Sequence, residues 1–514
     1  MMPARHQRPV QTLRQWMQRY LERSDIQPQR FDIELLPDIA IRHLCADSRQ
    51  VQAGDAFIAL RGGQYDGVDY AQAAIEAGAV VIVTEVRDTL PELAVPVVQL
   101  PQLAEQLGFV AASFYGDVSH TLPLIGITGT NGKSSCAHFL AQAWPLCDRG
   151  QAGMVGTLGY GPLTKLNDSS RTTPDAVSVQ RLLAELSGDE LAMAAMEVSS
   201  HALEQQRVQA CRFAAGVFTN LSRDHLDYHG TMAAYAAAKA KLFTEYRCPL
   251  AVINIDDEHG QALTAALRQQ ALPGQQVLSY SCTRAEADVY GELLAMDRQG
   301  LRIAVRSPWG RDEVQVAMAG RFQAFNLMAV FTVLCGLDCD FNTALTVLSQ
   351  LQAVPGRMQS VQPALSQAEV PLVLVDYAHT PAALEQALQT ARELTQGQLW
   401  CVFGCGGDRD RGKRPQMGAL AAQLADQIVV TSDNPRFENE QAILDDIKSG
   451  IRTTHNVNEF VDRAEAIAWS IAQANADDVV LVAGKGHETY QEVAGVRRPF
   501  DDVAQARRAL GCAA

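Results

Sequence analysis

Short apolar runs alternate with longer amphipathic stretches along the chain, and polar or glycine-rich clusters follow most of the runs. The runs predict buried β-strands and the stretches between them predict helices, an alternation typical of parallel α/β folds. Residues 1–118, 119–352 and 353–514 each show this alternation. Three α/β domains are therefore predicted, close to the roughly 150 residues expected per domain. Residues 286–318 instead alternate polar and apolar positions and predict antiparallel strands.

A glycine-rich turn joins a predicted strand at residues 122–127 to a predicted helix that begins near Cys136. The backbone N–H groups of such a turn and the helix N-terminus bind phosphate, so Lys133 is expected to reach the β- and γ-phosphates of a nucleotide and Ser134 to bind Mg²⁺. Ile127 stands where the usual phosphate loop has its first glycine, which argues against ordinary GTPases and small-molecule kinases. The alternative is a tight turn with a solvent-exposed lysine. The residues expected around the phosphates are Gly129, Thr130, Asn131, Gly132, Lys133, Ser134 and Ser135.

Polar side chains also follow the next strands of the middle domain. Glu197 comes directly after a predicted strand at residues 192–196, and Asp224 and His225 follow another at residues 216–219. In parallel sheets, ligands bind at the carboxyl ends of the strands, so these three side chains are expected to face the nucleotide. A lone histidine is more often structural, but here four ionisable groups crowd into six residues, so a structural and a functional role both stay open.

The composition limits the classes of function. A net charge of −15 argues against nucleic-acid binding, which needs a basic surface. The eleven cysteines are scattered through apolar segments and predict free buried thiols in a reducing compartment. The first thirty residues lack the apolar core of a signal peptide, and no run of about 18 apolar residues exists to span a membrane. A cytoplasmic protein without membrane insertion is therefore expected.

Polar clusters follow four predicted strands of the third domain, at residues 376–381, 404–410, 432–436 and 484–488. One polar strand end is ordinary, but four in one domain indicate a ligand-binding sheet edge. The turn that begins at Gly404 matches a dinucleotide fingerprint only loosely, because its third glycine is missing, so a nicotinamide site is not expected.

The spaced motifs together resemble the Mur ligases of bacterial cell-wall synthesis, and the resemblance spans all three predicted domains in order. The motifs begin at Thr128, Met196, Asn220, Tyr235, Gly356, Asp376, Gly406, Asp433 and Gly484. The resemblance implies a central P-loop ATPase domain between an N-terminal substrate-binding domain and a C-terminal Rossmann-like domain. It also implies that the γ-phosphoryl group of ATP passes to a substrate carboxylate. An amino-acid amine then attacks the acyl phosphate, giving an amide, ADP and phosphate.

The resemblance further implies roles around the nucleotide. Two Mg²⁺ ions are expected, with Ser134 and Glu197 binding one and His225 the other. Lys239 matches the position that carries a carbamate in the family, which turns a cation into an anionic metal ligand, while Lys241 remains a surface charge. The expected catalytic residues are Lys133, Lys239 and His225. The residues expected to complete the ATP site are Asn326, Arg357 and His379.

The substrates are assigned on the same resemblance. An arginine pairs bidentately with a carboxylate, so Arg436 predicts meso-diaminopimelate rather than lysine, which lacks the second carboxylate. The rest of that pocket is expected to be Arg409, Asp433, Asn434, Pro435, Gly484 and Glu488, with Glu488 binding the distal ammonium. The residues expected to bind the UDP-MurNAc-dipeptide are Ala46, Ser48, Gly63, Gln64, Tyr65, Arg171, Thr172, Thr173, Ser199, Gln205 and Arg207. Arg171 and Gln323 both stand where the family usually has asparagine.

Two other functions share part of this pattern. A folylpolyglutamate synthetase has the shortened loop and the lysine helix, but it would not need the segments at residues 46–49 and 433–436, and both are present. A nucleotide-dependent regulatory protein that only hydrolyses ATP would not need the third-domain residues expected to bind the incoming amino acid. A ligase acting on small molecules is therefore expected. It is also expected to be a monomer.

Overall fold

The computed structural model describes residues 11–23, 32–62, 65–169, 171–361, 370–452 and 457–511. They divide into two compact units, one of residues 1–280 with 332–339 and one of residues 281–331 with 340–514. Among the described residues, no helix combines the length and the apolar composition needed to cross a membrane.

The first unit is built on two parallel sheets. Its strands are β1 (Gln11–Thr12), β2 (Ala40–Ile41), β3 (Leu44–Cys45), β4 (Ala56–Ala59), β5 (Val81–Thr84), β6 (Val97–Gln99), β7 (Leu124–Thr128), β8 (Ala152–Gly156), β9 (Gly159–Pro162), β10 (Met193–Glu197), β11 (Ala215–Phe218), β12 (Leu250–Asn254) and β13 (Gln276–Ser281). Its helices are α1 (Leu13–Leu21), α2 (Ala71–Glu76), α3 (Leu103–Tyr115), α4 (Lys133–Leu146), α5 (Ala176–Gly188), α6 (Ser200–Glu204), α7 (Leu226–His229), α8 (Met232–Thr244) and α9 (Glu258–Gln270).

The strand order of the first unit determines which loops meet. Strands β3, β4, β5 and β6 form one parallel sheet, and β13, β12, β11, β7, β10 and β8 run parallel in that order, with β9 antiparallel to β8. In register, Glu197 pairs with Ile127 and Phe218 pairs with Thr128. The carboxyl ends of β10, β7 and β11 therefore lie side by side, as the sequence predicted for Glu197 and the glycine turn.

The second unit contains an antiparallel meander and a separate six-stranded sheet. Its strands are β14 (Val289–Asp297), β15 (Gly300–Ser307), β16 (Gly310–Val316), β17 (Gln359–Val361), β18 (Leu372–Asp376), β19 (Leu399–Phe403), β20 (Gln427–Thr431), β21 (Val457–Phe460), β22 (Val479–Ala483), β23 (Tyr490–Val493) and β24 (Val496–Pro499). Its helices are α10 (Arg321–Gly336), of which residues 332–336 are counted in the first unit, α11 (Phe341–Gln350), α12 (Pro381–Leu394), α13 (Lys413–Leu424), α14 (Glu440–Lys448), α15 (Arg463–Gln473) and α16 (Asp502–Ala509). The meander of β14, β15 and β16 confirms the antiparallel strands predicted at residues 286–318.

The six-stranded sheet runs in the order β17, β18, β22, β19, β20, β21, and only β17 is antiparallel to its neighbour. Its inner strands β18, β22, β19 and β20 are apolar on both faces because both faces are buried. Leu399, Cys401 and Phe403 pack into one core, while Trp400 and Val402 between them pack into the other. The α/β prediction is confirmed, and the loops after β18, β22, β19 and β20 emerge at one sheet edge.

Candidate active site

The glycine turn between β7 and α4 is held in place by the segment that follows β11. The Thr130 N–H donates to the Asn220 carbonyl oxygen at 2.9 Å, and the Asn131 N–H donates to Asn220 Oδ1 at 3.0 Å. Gly129 has a φ of 149°, and a Cβ there would lie 1.9 Å from Thr219 Oγ1, so only glycine fits this approach. The turn therefore has a defined shape, and α4 begins directly after it at Lys133.

Two lysines converge on one carbonyl oxygen of this turn. Lys133 Nζ lies 2.9 Å from Gly129 O and 2.8 Å from Thr130 O. Lys239 Nζ, which comes from α8, lies 2.8 Å from the same Gly129 oxygen, and its side chain is 1% exposed. Burial, together with the nearby Lys133 charge, lowers the pKa of Lys239 to about 6. This lowering favours the neutral form of the Lys239 amine near neutral pH.

Glu197 ends β10, one strand away from the glycine turn, and is buried. Its Oε1 accepts the N–H of Thr157 at 2.8 Å, and its Oε2 accepts the Thr157 hydroxyl at 3.3 Å. A carboxylate has about four acceptor positions, so these two bonds leave capacity for a Mg²⁺ ion. Gly156 makes room for the carboxylate, because a Cβ there would lie 2.2 Å from Glu197 Oε1.

Three histidines gather beside α8. The ring centroid of His201 lies 4.9 Å from that of His225 and 5.4 Å from that of His229. Burial lowers the pKa of His201 and of His229, and the neighbouring His225 adds to both shifts, which favours the neutral form that binds metal ions. The sequence predicted only His225 as a site residue, although His201 and His229 stand in the same strand-end motifs. In the described part of the chain, no group of His, Cys, Asp and Glu side chains forms a metal site by itself.

Several residues predicted to bind the nucleotide sugar are joined by hydrogen bonds next to Glu197. Arg207 Nη1 donates to Thr173 O at 2.9 Å, and its Nε donates to Gln205 Oε1 at 3.0 Å. The Thr173 hydroxyl donates to the Glu197 carbonyl oxygen at 2.7 Å and accepts the N–H of Ser199 at 3.1 Å. The Thr172 hydroxyl lies 3.1 Å from Thr157 Oγ1. The predicted sugar-peptide residues therefore border the predicted metal ligand.

Ala46, Ser48 and Tyr65, which belong to the same group, lie in the segments that follow β3 and β4. Ala46 precedes a short 3₁₀ turn at Ser48–Gln50, which Asp47 caps by accepting the Arg49 N–H. Hydrogen bonds from Arg49 lower the pKa of Asp47, and the Arg171 charge contributes to the lowering. Tyr65 is exposed, whereas Gly63 and Gln64 lie outside the described residues.

The loops after β20 and β22 meet in the second unit. Glu488 Oε2 accepts a hydrogen bond from Asn434 Nδ2 at 2.8 Å and one from Lys485 Nζ at 3.0 Å. A Cβ on Gly484, whose φ is 121°, would lie 2.6 Å from Asp433 Oδ2, so the two loops are in close contact. The sequence predicted Asp433, Asn434, Gly484 and Glu488 in one pocket but missed Lys485.

Arg436 has its own fixed environment beside this pocket. Its φ is 51°, its Nη1 donates to Gly407 O at 2.7 Å, and its Nε lies 4.0 Å from Glu492 Oε2. The side chain is 21% exposed, so the guanidinium is partly accessible. A Cβ on Gly407 would lie 1.9 Å from Pro435 O, which places the turn after β19 directly against this loop.

Arg409 is exposed on the turn after β19. The ion pair between Arg414 and Glu438 anchors this turn. The Asp408 N–H donates to Glu438 Oε1, and the fully buried Arg414 binds the same carboxylate at 2.8 Å. The hydrogen bonds from Arg414 lower the pKa of Glu438 to about 2. Among the residues that the structure describes, the hydrogen bond from the Arg409 side chain goes to the neighbouring Asp408 O, at 3.4 Å.

The predicted ATP residues of the second unit fall into two places. The Arg357 guanidinium lies 5.2 Å from the Tyr377 ring centroid, and His379 Nδ1 lies 2.9 Å from Tyr377 O. Asn326 lies on α10, where its Nδ2 donates to Gln323 Oε1 at 3.0 Å. Gln323 is fully buried, and its Nε2 has no hydrogen-bond partner among the described residues, as expected of a donor reserved for a ligand.

In comparison with known proteins, domain models of one protein family match most of the chain. The sequence matches the Mur ligase family, catalytic domain, over residues 40–115, the Mur ligase middle domain over residues 127–334, and the Mur ligase, glutamate ligase domain, over residues 356–486. The chain belongs to the Mur ligase family, as the motifs predicted.

Among its relatives is the UDP-N-acetylmuramoyl-L-alanyl-D-glutamate--2,6-diaminopimelate ligase of Coxiella burnetii, which is 46% identical over 93% of this chain and 97% of its own length. The Pseudomonas aeruginosa protein of the same name is 46% identical over 92% of this chain and 96% of its own length. A solved structure of a ligase with that name superimposes with a TM-score of 0.70 at 37% identity, covering 96% of this chain and 98% of the other.

Proposed function

We propose that the chain is an ATP-dependent ligase that adds meso-2,6-diaminopimelate to UDP-MurNAc-L-Ala-D-Glu in the synthesis of peptidoglycan precursors. The observation that carries the proposal is the 46% identity, over 92–93% of the chain, with ligases of that name. The products are the amide, ADP and phosphate. We further propose that the enzyme is a cytoplasmic monomer, with domains at residues 1–118, 119–352 and 353–514.

The reaction needs charge stabilisation rather than a protein nucleophile, because the phosphoryl group passes directly between substrates. The N–H groups of the glycine turn and Lys133 bind the β- and γ-phosphates. The substrate carboxylate attacks the γ-phosphorus, and the bond to the bridging oxygen breaks to release ADP. The diaminopimelate amine then attacks the acyl carbon, loses a proton and expels phosphate. Within the second unit, the buried amides of Gln323 and Asn326 on α10 are suited to bind adenine, and Arg357 and His379 are proposed as further ATP-binding residues.

The residues around the glycine turn fit two Mg²⁺ ions, which would supply the neutralisation of phosphate charge. Glu197 has free acceptor capacity and Ser134 lies in the first turn of α4, so both would hold one ion, and His225 would hold the other. A carbamate on Lys239 would complete the ligand set. A buried neutral amine reacts with CO₂ to form a carbamate and release a proton, and Lys239 is such an amine.

The proposed substrates divide between the units. The hydrogen-bonded group around Thr173 and Arg207 would hold the sugar-peptide, with the loops that contain Ser48 and Tyr65 at the uridine end. Arg436 would bind the distal carboxylate of diaminopimelate, and Glu488 the distal ammonium.

Arg436→Ala should raise KM for meso-diaminopimelate about 10²-fold, because charged hydrogen bonds of about 1.5–3 kcal/mol are lost, and leave KM for ATP unchanged. Steady-state assays of tripeptide formation check this. Arg392→Ala removes a partly exposed arginine paired with Asp426 and serves as the matched control. Unchanged KM in Arg436→Ala, or turnover of L-lysine equal to that of diaminopimelate by the unmodified enzyme, would contradict the assignment.

Phosphate release tests the function as a whole. We expect phosphate release only when ATP, the UDP-MurNAc-dipeptide and the amino acid are all present. The amount of phosphate released should equal the amount of amide formed. Release of phosphate without any amino acid, at the rate seen with all substrates, would favour an ATP-hydrolysing regulatory protein instead.

A further inference from the structure

Lys485 is completely buried beneath the pocket formed by the loops after β20 and β22. Its Nζ donates to Glu488 Oε2 at 3.0 Å and to Asn434 Oδ1 at 3.1 Å. Asn434 Nδ2 donates to the same Glu488 oxygen at 2.8 Å. The three side chains therefore form a closed triangle in which both donors to the carboxylate bind one oxygen.

A backbone hydrogen bond from β23 fixes the orientation of the Asn434 amide in this triangle. Asn434 Oδ1 also accepts the Glu492 N–H at 2.9 Å, so it faces two donors and its Nδ2 must point toward Glu488. Glu492 lies on β23, and Gln491 on the same strand donates to Asp433 O at 2.7 Å. Strand β23 therefore fixes the Asn434 side chain. The hydrogen bonds among Lys485, Asn434 and Glu488 can then form in only one arrangement.

The other oxygen of Glu488 remains available. No described residue hydrogen-bonds to Oε1, and the Glu488 side chain is 21% exposed, whereas that of Lys485 is 0% exposed. A substrate can therefore reach Glu488 Oε1 but cannot reach the Lys485 ammonium. A partly buried carboxylate is costly without a partner, and Lys485 supplies one when the pocket is empty.

We propose that Lys485 is a positioning residue for amino-acid selection: it holds Glu488 Oε2 so that Oε1 accepts the distal ammonium of the incoming amino acid. This inference rests on the proposed function, which assigns a diamino dicarboxylate to this pocket. Lys485 acts through Glu488 and does not touch the substrate. Its effect should appear in the choice between substrates with and without a distal ammonium.

The test compares meso-diaminopimelate with L-2-aminopimelate, which keeps the distal carboxylate but lacks the distal amine. The ratio of their kcat/KM values measures recognition of the ammonium. In Lys485→Met, an apolar side chain of similar length, we expect this ratio to fall tenfold or more while KM for ATP is unchanged. Lys448→Met is the matched control, because Lys448 pairs with Asp445 and Glu459 instead. A general loss of structure would lower both kcat/KM values and leave the ratio unaltered.

Thermal unfolding shows whether the variant is folded. If Lys485→Met does not fold, Lys485→Gln removes the charge but keeps hydrogen-bonding groups, and the same fall in the ratio is expected. An unchanged ratio in a folded variant would overturn the inference. So would a higher ratio, which would mean that Lys485 only repels the substrate ammonium. If the unmodified enzyme itself does not prefer diaminopimelate to 2-aminopimelate and L-lysine, the proposed function fails and the inference with it.

Discussion

Lys133→Met should reduce kcat for amide formation about 10³-fold, the largest effect expected of any single substitution in this chain. Lys133 Nζ lies against two carbonyl oxygens of the glycine turn, Gly129 O and Thr130 O, where it can turn to bound phosphates. Its charge would offset the negative charge that develops as the γ-phosphoryl group moves, and methionine fills similar space without that charge. Tripeptide formation under saturating substrates provides the measurement.

Lys241→Met is the appropriate control for Lys133→Met. Lys241 lies on α8, where its Nζ binds Glu204 at 2.9 Å, so this substitution removes an amine that the site does not use. We expect kcat within about twofold of the unmodified enzyme, since a surface ion pair contributes little. If Lys133→Met were as active as Lys241→Met, the phosphate-binding role of the glycine turn would be wrong.

Lys239→Met should lower kcat roughly 10²-fold or more and raise the Mg²⁺ concentration needed for half-maximal rate. The reason is the loss of the proposed carbamate. In the unmodified enzyme, carbamate formation consumes the neutral amine and releases a proton, so acid reverses it. With the pKa of Lys239 lowered to about 6, holding the enzyme below pH 6 without CO₂ should remove activity, and bicarbonate at pH 8 should restore it.

The carbamate can be observed directly. Enzyme equilibrated with ¹³C-bicarbonate should give one carbamate signal by NMR, and Lys239→Met should give none while Lys241→Met keeps it. Full activity of Lys239→Met, or a signal that persists in this variant, would contradict the carbamate assignment.

The burial of Lys239 could be predicted from helix geometry. The buried positions of α8 are Tyr235, Ala238, Lys239, Leu242 and Phe243, the spacing of one helix face. Lys241 lies two residues from Lys239, hence about 200° around the helix, and faces outward. Composition alone does not distinguish Lys239 from Lys241. The helical periodicity of the apolar positions does, because it places Lys239 on the buried face and Lys241 away from it.

The strand-end clusters were predictable for a related reason. A parallel strand is a continuous apolar run, and the residue that follows it must lie at the carboxyl edge of the sheet. Glu197, Asp433 and Gly484 were found in this way. Which strands are neighbours depends on topology, and that determines which clusters meet.

The partners of the site residues could not be predicted in the same way. Lys485 looks like an ordinary loop lysine beside Glu488, and only the fold brings it to Asn434, 51 residues away in sequence. Likewise, the contact of Arg436 with Gly407 O and the clustering of His201 with His225 and His229 depend on distances across loops. Such contacts carry no local signal in the sequence.

Transfer of oxygen from the substrate to phosphate tests the central claim most directly. The side-chain carboxylate of the D-glutamate in UDP-MurNAc-L-Ala-D-Glu is labelled with ¹⁸O, and the phosphate released during ligation of meso-diaminopimelate is analysed by mass spectrometry. An acyl phosphate intermediate predicts one ¹⁸O atom in each phosphate. Unlabelled phosphate formed together with the amide would contradict activation of the carboxylate by ATP.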